Sequence, residues 1–218
     1  MKKSVYSLVL SDEVVAAVDK LAYRKATNRS NLINQILAEH LSLITPEKRI
    51  RQIFGSIEEL FGAEDSAQRL EGSTDNMLTL RSALAYKYNP TVRYSVLLYR
   101  QPTTAFGELR VGFRTQNRTL IAYMNAFYRM WSETEVRYIG NVEFSAEDGK
   151  YARRLVLRRN SRDGEFGEGQ IADAIVSYIR TMDIAMKSFF ETPEITELAA
   201  RRIDDAYREY LSICPEII

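Results

Sequence analysis

Cysteine and histidine are almost missing from this chain: Cys214 and His40 occur once each among 218 residues. A lone cysteine excludes an intramolecular disulfide. One of each is too few for a metal site, which takes about three or four such ligands. His40 falls on an apolar helical stripe and reads as a core-edge histidine, Cys214 as a small apolar residue. No metal and no cofactor are expected. No apolar run approaches the roughly eighteen residues of a membrane-spanning helix. The opening Met1-Lys2-Lys3-Ser4 lacks the apolar core of a signal peptide. The expectation is a cytoplasmic, nucleoid-associated protein that does not enter a membrane. Phosphate-loop, dinucleotide and nucleophile motifs are absent, and the glycines at 164, 167 and 169 read as turn residues. Glu143 with Glu147 and Asp204 with Asp205 read as solvated carboxylates. No catalytic residue is assigned, and the chain is not expected to be an enzyme.

What is present is segregated charge. Net charge is +1, yet residues 1–51 carry +4, 52–78 carry −5, 79–160 carry +8 and 161–218 carry −6. Local field rather than total charge decides where a polyanion docks.

Residues 2–44 organise the chain. Val5-Tyr6-Ser7-Leu8-Val9-Leu10 alternates as a strand with two distinct faces. Ser11 is placed to cap a helix whose first turn carries Asp12 and Glu13. Val14, Val15, Val18, Leu21 and Ala22 make its apolar stripe. Thr27 and Asn28 interrupt the pattern. Asn28 can cap a second helix with Leu32, Ile33, Ile36, Leu37, Leu41 and Ile44 on one face. A single strand cannot satisfy its own backbone hydrogen bonds. About forty residues also bury too little apolar surface to stand alone. Two copies pairing strand against strand, with four helices sharing one core, would meet both needs.

The strand, the helix after it and Asn28-Arg29-Ser30-Asn31-Leu32-Ile33 resemble the ribbon-helix-helix family of Arc- and MetJ-type DNA-binding proteins. The resemblance covers roughly the first fifth of the chain. It implies a homodimer with a two-stranded ribbon in the major groove of double-stranded DNA. Val5, Ser7 and Val9 would face base edges. Asn28, Arg29 and Ser30 would meet phosphate at the start of the second helix, and Lys3 would meet phosphate ahead of the strand. The turn carries Ala26 where the family usually has glycine, so a left-handed residue there is costlier. Val-Ser-Val offers thymine-methyl contact but no bidentate base contact. The alternative is that the module only pairs subunits.

Beyond it, Thr45-Pro46-Glu47 opens a connecting helix to about residue 61. Residues 63–76 read as a loop. Strands are expected over 77–88, 91–100 and 106–115, joined as an antiparallel meander. Asn117 caps a helix with Leu120, Met124, Phe127, Tyr128 and Trp131. Residues 136–139 and 151–159 read as further strands, and two helices, from 171 and from 195, close the chain. The domains are thus 1–45, a connecting helix over 46–62, and 63–218, and the fold class is α+β with an antiparallel sheet and long packing helices. Arg153-Arg154-Leu155-Val156-Leu157-Arg158-Arg159 is read either as a charged edge strand or as a second anionic site through Arg154 and Arg158. The tyrosines and arginines of residues 86–118 could stack nucleic acid or be core and interface. Function is expected to be a homodimeric DNA-binding transcriptional regulator, forming higher oligomers on DNA and answering to a small-molecule or protein effector. The rival is a dimeric assembly protein, an accessory factor of a plasmid or mobile element.

Overall fold

The computed structural model describes residues 7–40, 45–62, 68–87, 89–158, 166–193, 196–214 and 218, with the main chain alone at 39, 68, 69 and 196. The chain divides into two compact units, residues 1–49 and 50–218. Among the described residues the protein is α+β, with six helices and one six-stranded antiparallel sheet. No described helix is long and apolar enough to cross a membrane.

The smaller unit holds α1 (Asp12–Arg24) and α2 (Arg29–His40). Its buried core is Val18, Ala22 and Leu32, with Leu21 and Ile33 packed beside them. Ser11 occupies the N-cap position of α1 in extended conformation, but its side chain makes no capping bond. His40 is exposed rather than at a core edge.

The larger unit begins within α3 (Pro46–Gly62), whose Ile50, Ile53, Phe54, Ile57 and Phe61 lie in the same core as the sheet. The helix expected to connect two domains is thus part of the second one's interior. β1 (Gln68–Ser73), β2 (Met77–Ala83), β3 (Thr91–Leu98) and β4 (Gly107–Gly112) form the expected meander, lengthened by one strand. β1 occupies the stretch read as loop. Gln-Arg-Leu-Glu-Gly-Ser has no β-branched alternation, and its register breaks at a bulge between Leu70 and Gly72. Pairing with β2, not local propensity, makes it a strand. The bulge frees Glu71 to accept two hydrogen bonds from Arg93, at 2.7 and 2.9 Å. Gly107 is demanded by close approach: a Cβ there would stand 2.4 Å from the Leu97 carbonyl oxygen.

α4 (Arg118–Ile139) follows, capped by Asn117, whose side chain accepts from the Thr119 and Leu120 N–H groups. Residues 136–139, read as strand, are its last turn. Val136 and Tyr138 favour strands locally, yet they continue a helix already running from Arg118, and Gly140 at φ 77° ends it. The hairpin β5 (Phe144–Glu147) and β6 (Lys150–Leu155) turns on Asp148 and Gly149, both at positive φ. β6 then inserts between β4 and β5, giving the order β1-β2-β3-β4-β6-β5.

One sheet face is apolar and covered by helices. Leu78, Leu80, Val92, Tyr94, Val96, Leu109, Val111, Tyr151 and Leu155 are all buried on it. The other shows Arg81, Arg93, Ser95, Arg110 and Arg154 in exposed or half-exposed positions. α5 (Glu168–Glu191) is the central helix, buried on most sides between the sheet, α4 and α6 (Thr196–Ile213). Ser82 and the Tyr94 hydroxyl on the sheet donate to Asp183 of α5, at 3.0 and 2.9 Å. Trp131 of α4 donates from its indole to the Tyr178 hydroxyl on α5 at 2.8 Å and meets the Tyr207 ring of α6 edge-on.

Within this core lies an ion pair. Arg153 of β6, 2% exposed, sits 3.0 Å from Glu135 of α4, which is fully buried. The Tyr151 hydroxyl donates to the same carboxylate at 3.0 Å, and the guanidinium lies 4.7 Å over the Tyr178 ring. Burial pushes the Glu135 carboxyl up, opposed by Arg153 and the tyrosine hydroxyls. Burial also works against the Arg153 charge, but Tyr178, Glu135 and Tyr151 leave the guanidinium more firmly protonated than usual. Glu135→Gln would leave that cation without its counter-charge and should cost about 3–5 kcal/mol in urea unfolding. The double variant Glu135→Leu/Arg153→Met should lose less than either single change, because it removes both charges together.

Candidate nucleic-acid interface

The interface that the first fifth of the chain suggests can be built from α1, the turn after it and α2. The turn is the best-defined part. Ala26 N–H donates to the Tyr23 carbonyl at 3.2 Å, and Thr27 N–H reaches back to the Ala22 carbonyl at 3.0 Å. This paired closure of a helix end needs a left-handed residue between the two donors. Ala26 supplies it at φ 49°. The chain thus makes the glycine-type turn without glycine and holds the strain of a Cβ there.

Asn28 follows as the cap of α2. Its side-chain oxygen accepts from the Asn31 N–H at 2.9 Å, and its carbonyl accepts from the Leu32 N–H at 3.0 Å. That leaves the Arg29 and Ser30 N–H groups in the first turn, where a helix offers no internal acceptor. No acidic residue stands in that turn to neutralise it. Asn28, Arg29 and Ser30 are all exposed. The three residues stand side by side at the start of α2, with the two main-chain donors and the Ser30 hydroxyl among them.

Arg29 is already engaged, which sequence did not reveal. Its Nε donates to Asp19 Oδ1 at 2.7 Å and its Nη2 to Asp19 Oδ2 at 2.5 Å. The pair ties α2 to α1 across ten residues. Arg29 holds the Asp19 carboxyl below the ordinary carboxylate range, chiefly through these hydrogen bonds.

Lys3 and Val5 lie outside the described residues. Ser7 and Val9 are exposed, Val9 completely. Among the described residues, 7–10 join no strand pair. Leu8 is 62% exposed and Leu10 39%, and Val14, Ile36 and Leu37 also stand open, the last at 48%. Those five belong to the stripes and strand face expected to be core.

The second basic block behaves differently from its sequence. Arg154 is half exposed and pairs with Glu143 at 3.0 Å. Arg158 lies past the end of β6 and donates to the Ile139 and Asn141 carbonyls, closing the carboxyl end of α4. Neither forms a shared anion site with the other, and β6 is an inner strand rather than an edge. Arg93 and Arg110 on the open face are paired with Glu71 and Glu108. Of the tyrosines of residues 86–118, Tyr94 is core, and Tyr86 packs against Tyr123 and Phe190. A surface groove of about 380 Å³ runs between α4 and α6, and its charges also pair among themselves, with Arg137 and Arg208 both on Asp204.

Comparison of the chain with family models, with curated proteins and with solved structures returns no match.

Ala26→Gly should stabilise the smaller unit. Relief of the left-handed strain is worth about 1–2 kcal/mol, less roughly 0.4–1 kcal/mol for the freer unfolded chain. A net stabilisation on the order of 0.5–1 kcal/mol should appear as slower hydrogen exchange of the α1 and α2 amides.

Proposed function

We propose that this protein is a homodimeric DNA-binding regulator. Residues 5–10 of two copies pair as an antiparallel ribbon, and the ribbon enters the major groove of double-stranded DNA. The observation that carries the reading is the open apolar surface of the smaller unit. The buried core among the described residues is Val18, Ala22 and Leu32, while Leu8, Leu10, Val14, Ile36 and Leu37 are exposed. Full burial of each is worth about 1.5–3 kcal/mol, and a second copy of the same surface is the partner whose shape and stripe already match it. Pairing would turn Leu8 and Leu10 inward and leave Ser7 and Val9, with Val5, outward toward base edges. The Arg29 and Ser30 N–H groups and Ser30 hydroxyl would then meet a backbone phosphate, as helix N-termini do.

The base-facing side chains are short, so discrimination would come mostly from thymine-methyl contacts and from DNA shape. The larger unit is left as the place for an effector, for further assembly, or for a second contact with DNA. One observation favours the rival class, in which the module pairs subunits of an assembly factor. Arg29, Arg93, Arg110, Arg154 and Arg158 are all held by partners in the chain. Salt dependence separates the two, because groove binding releases counterions and weakens steeply as salt rises.

Two measurements test the reading. Removing residues 1–11 should convert the dimer to a monomer in sedimentation, while the larger unit keeps its secondary structure. A truncated chain that dimerises unchanged would remove the ribbon. Ser30→Glu should weaken binding to every duplex and flatten the slope of log affinity against log salt by about one for each phosphate no longer neutralised. Equal affinity across salt concentrations would remove the phosphate site.

A further inference from the structure

The α1–α2 pair has the geometry of a phosphate clamp closed on the wrong anion. A guanidinium binds carboxylate and phosphate through the same two parallel N–H···O bonds. Both prongs of Arg29 are taken, by Asp19 Oδ1 at 2.7 Å and Oδ2 at 2.5 Å. Arg29 is also the first residue of α2, beside the two main-chain donors that lack an internal acceptor. The residue that carries the fork thus also opens the helix that carries those donors.

We propose that Asp19 is an affinity-setting residue of the module: its carboxylate occupies the Arg29 fork and competes with backbone phosphate for it. The inference rests on the DNA-binding reading above. The side chains are 52% and 47% exposed, so water screens the pair and it opens readily. Phosphate can displace the carboxylate but has to compete with a tethered acid whose local concentration is high. Among the described residues Asp19 is paired with Arg29 and not with Ser7 or Val9, so it should lower affinity for all duplexes by one factor and leave sequence preference alone. This sets it apart from Ser7 and Val9, whose changes would act on preference.

The test is a double-mutant cycle in the full-length protein: wild type, Asp19→Asn, Arg29→Gln and the double variant. Each is titrated on two unrelated duplexes at several potassium chloride concentrations. Circular dichroism and sedimentation confirm that each variant is folded and dimeric, and Asp19→Ser repeats the key measurement if the amide perturbs α1. Asp19→Asn should bind both duplexes on the order of tenfold more tightly near 0.1 M salt, with a slope steeper by roughly two per dimer, because the freed Arg29 of each subunit neutralises one further phosphate. Arg29→Gln should bind both duplexes more weakly than wild type, because it removes a cation from the phosphate site and leaves Asp19 unpaired, and adding Asp19→Asn to it should gain far less than the tenfold seen with Arg29 present. The proposal is overturned if Asp19→Asn changes nothing. It is equally overturned if the tighter binding persists in the Arg29→Gln background, since loss of a distant negative charge would then explain it. If wild type and Asp19→Asn both fail to bind any duplex at low salt, the DNA-binding reading falls and takes this one with it. Wild-type binding that Asp19→Asn does not improve removes only the role of Asp19.

Discussion

The larger unit depends on a buried charge being matched where it stands. Arg153 cannot reach water from β6, and an unpaired guanidinium in a protein interior is costly enough to prevent the sheet and helices from closing. Glu135 meets it from α4 at 3.0 Å, the Tyr151 hydroxyl donates to the same carboxylate, and the guanidinium lies over the Tyr178 ring of α5. One interaction thereby fixes β6, α4 and α5 relative to one another. With β6 beside β4, Arg153 stands opposite Leu109 on the covered face and Arg154 opposite Glu108 on the open one. An apolar side chain in the same space would be no less stable, so the pair's contribution lies in register. A slip of one residue would bury Arg154 and expose Arg153, with no acid in position for either.

The smaller unit is built the opposite way. The junction of its two helices is well closed, by the turn at Ala26 and the Asn28 cap, but among the described residues its buried side chains are few. Several apolar residues of its stripes, Val14, Ile36 and Leu37 among them, are exposed. Its polar residues show a similar restraint, since the cation at the head of α2 is neutralised by a carboxylate from α1.

Much of this was legible in the sequence. Asn28 and Asn117 announce their helices because a short side-chain oxygen before an apolar periodic run has one good use. The meander over residues 77–112 follows from alternation broken by Asn89-Pro90. The covered and open faces of β6 follow from the period of two, with Arg153 and Leu155 on the inner side and Arg154 on the outer. Two failures had different causes. The β5–β6 hairpin carried an Asp-Gly turn signal at 148–149 that local reading could have used. β1 carried no such signal, because its strand character comes entirely from the neighbour it pairs with.

Sequence by itself determined most of the helices, the Asn28 and Asn117 caps and the periodicity that marks which side of an element is apolar, since these depend on residues within a few positions of one another. It also determined the segregation of charge along the chain. The tertiary structure alone decided what each charge does. Arg153 and Arg154 are adjacent and chemically identical, yet one is buried against Glu135 and the other lies in water beside Glu143. Arg29 is exposed but held by an acid ten residues away. Partnering of this kind depends on contacts between residues distant in the chain, and no pattern of neighbours in the sequence encodes the distance at which two side chains will meet.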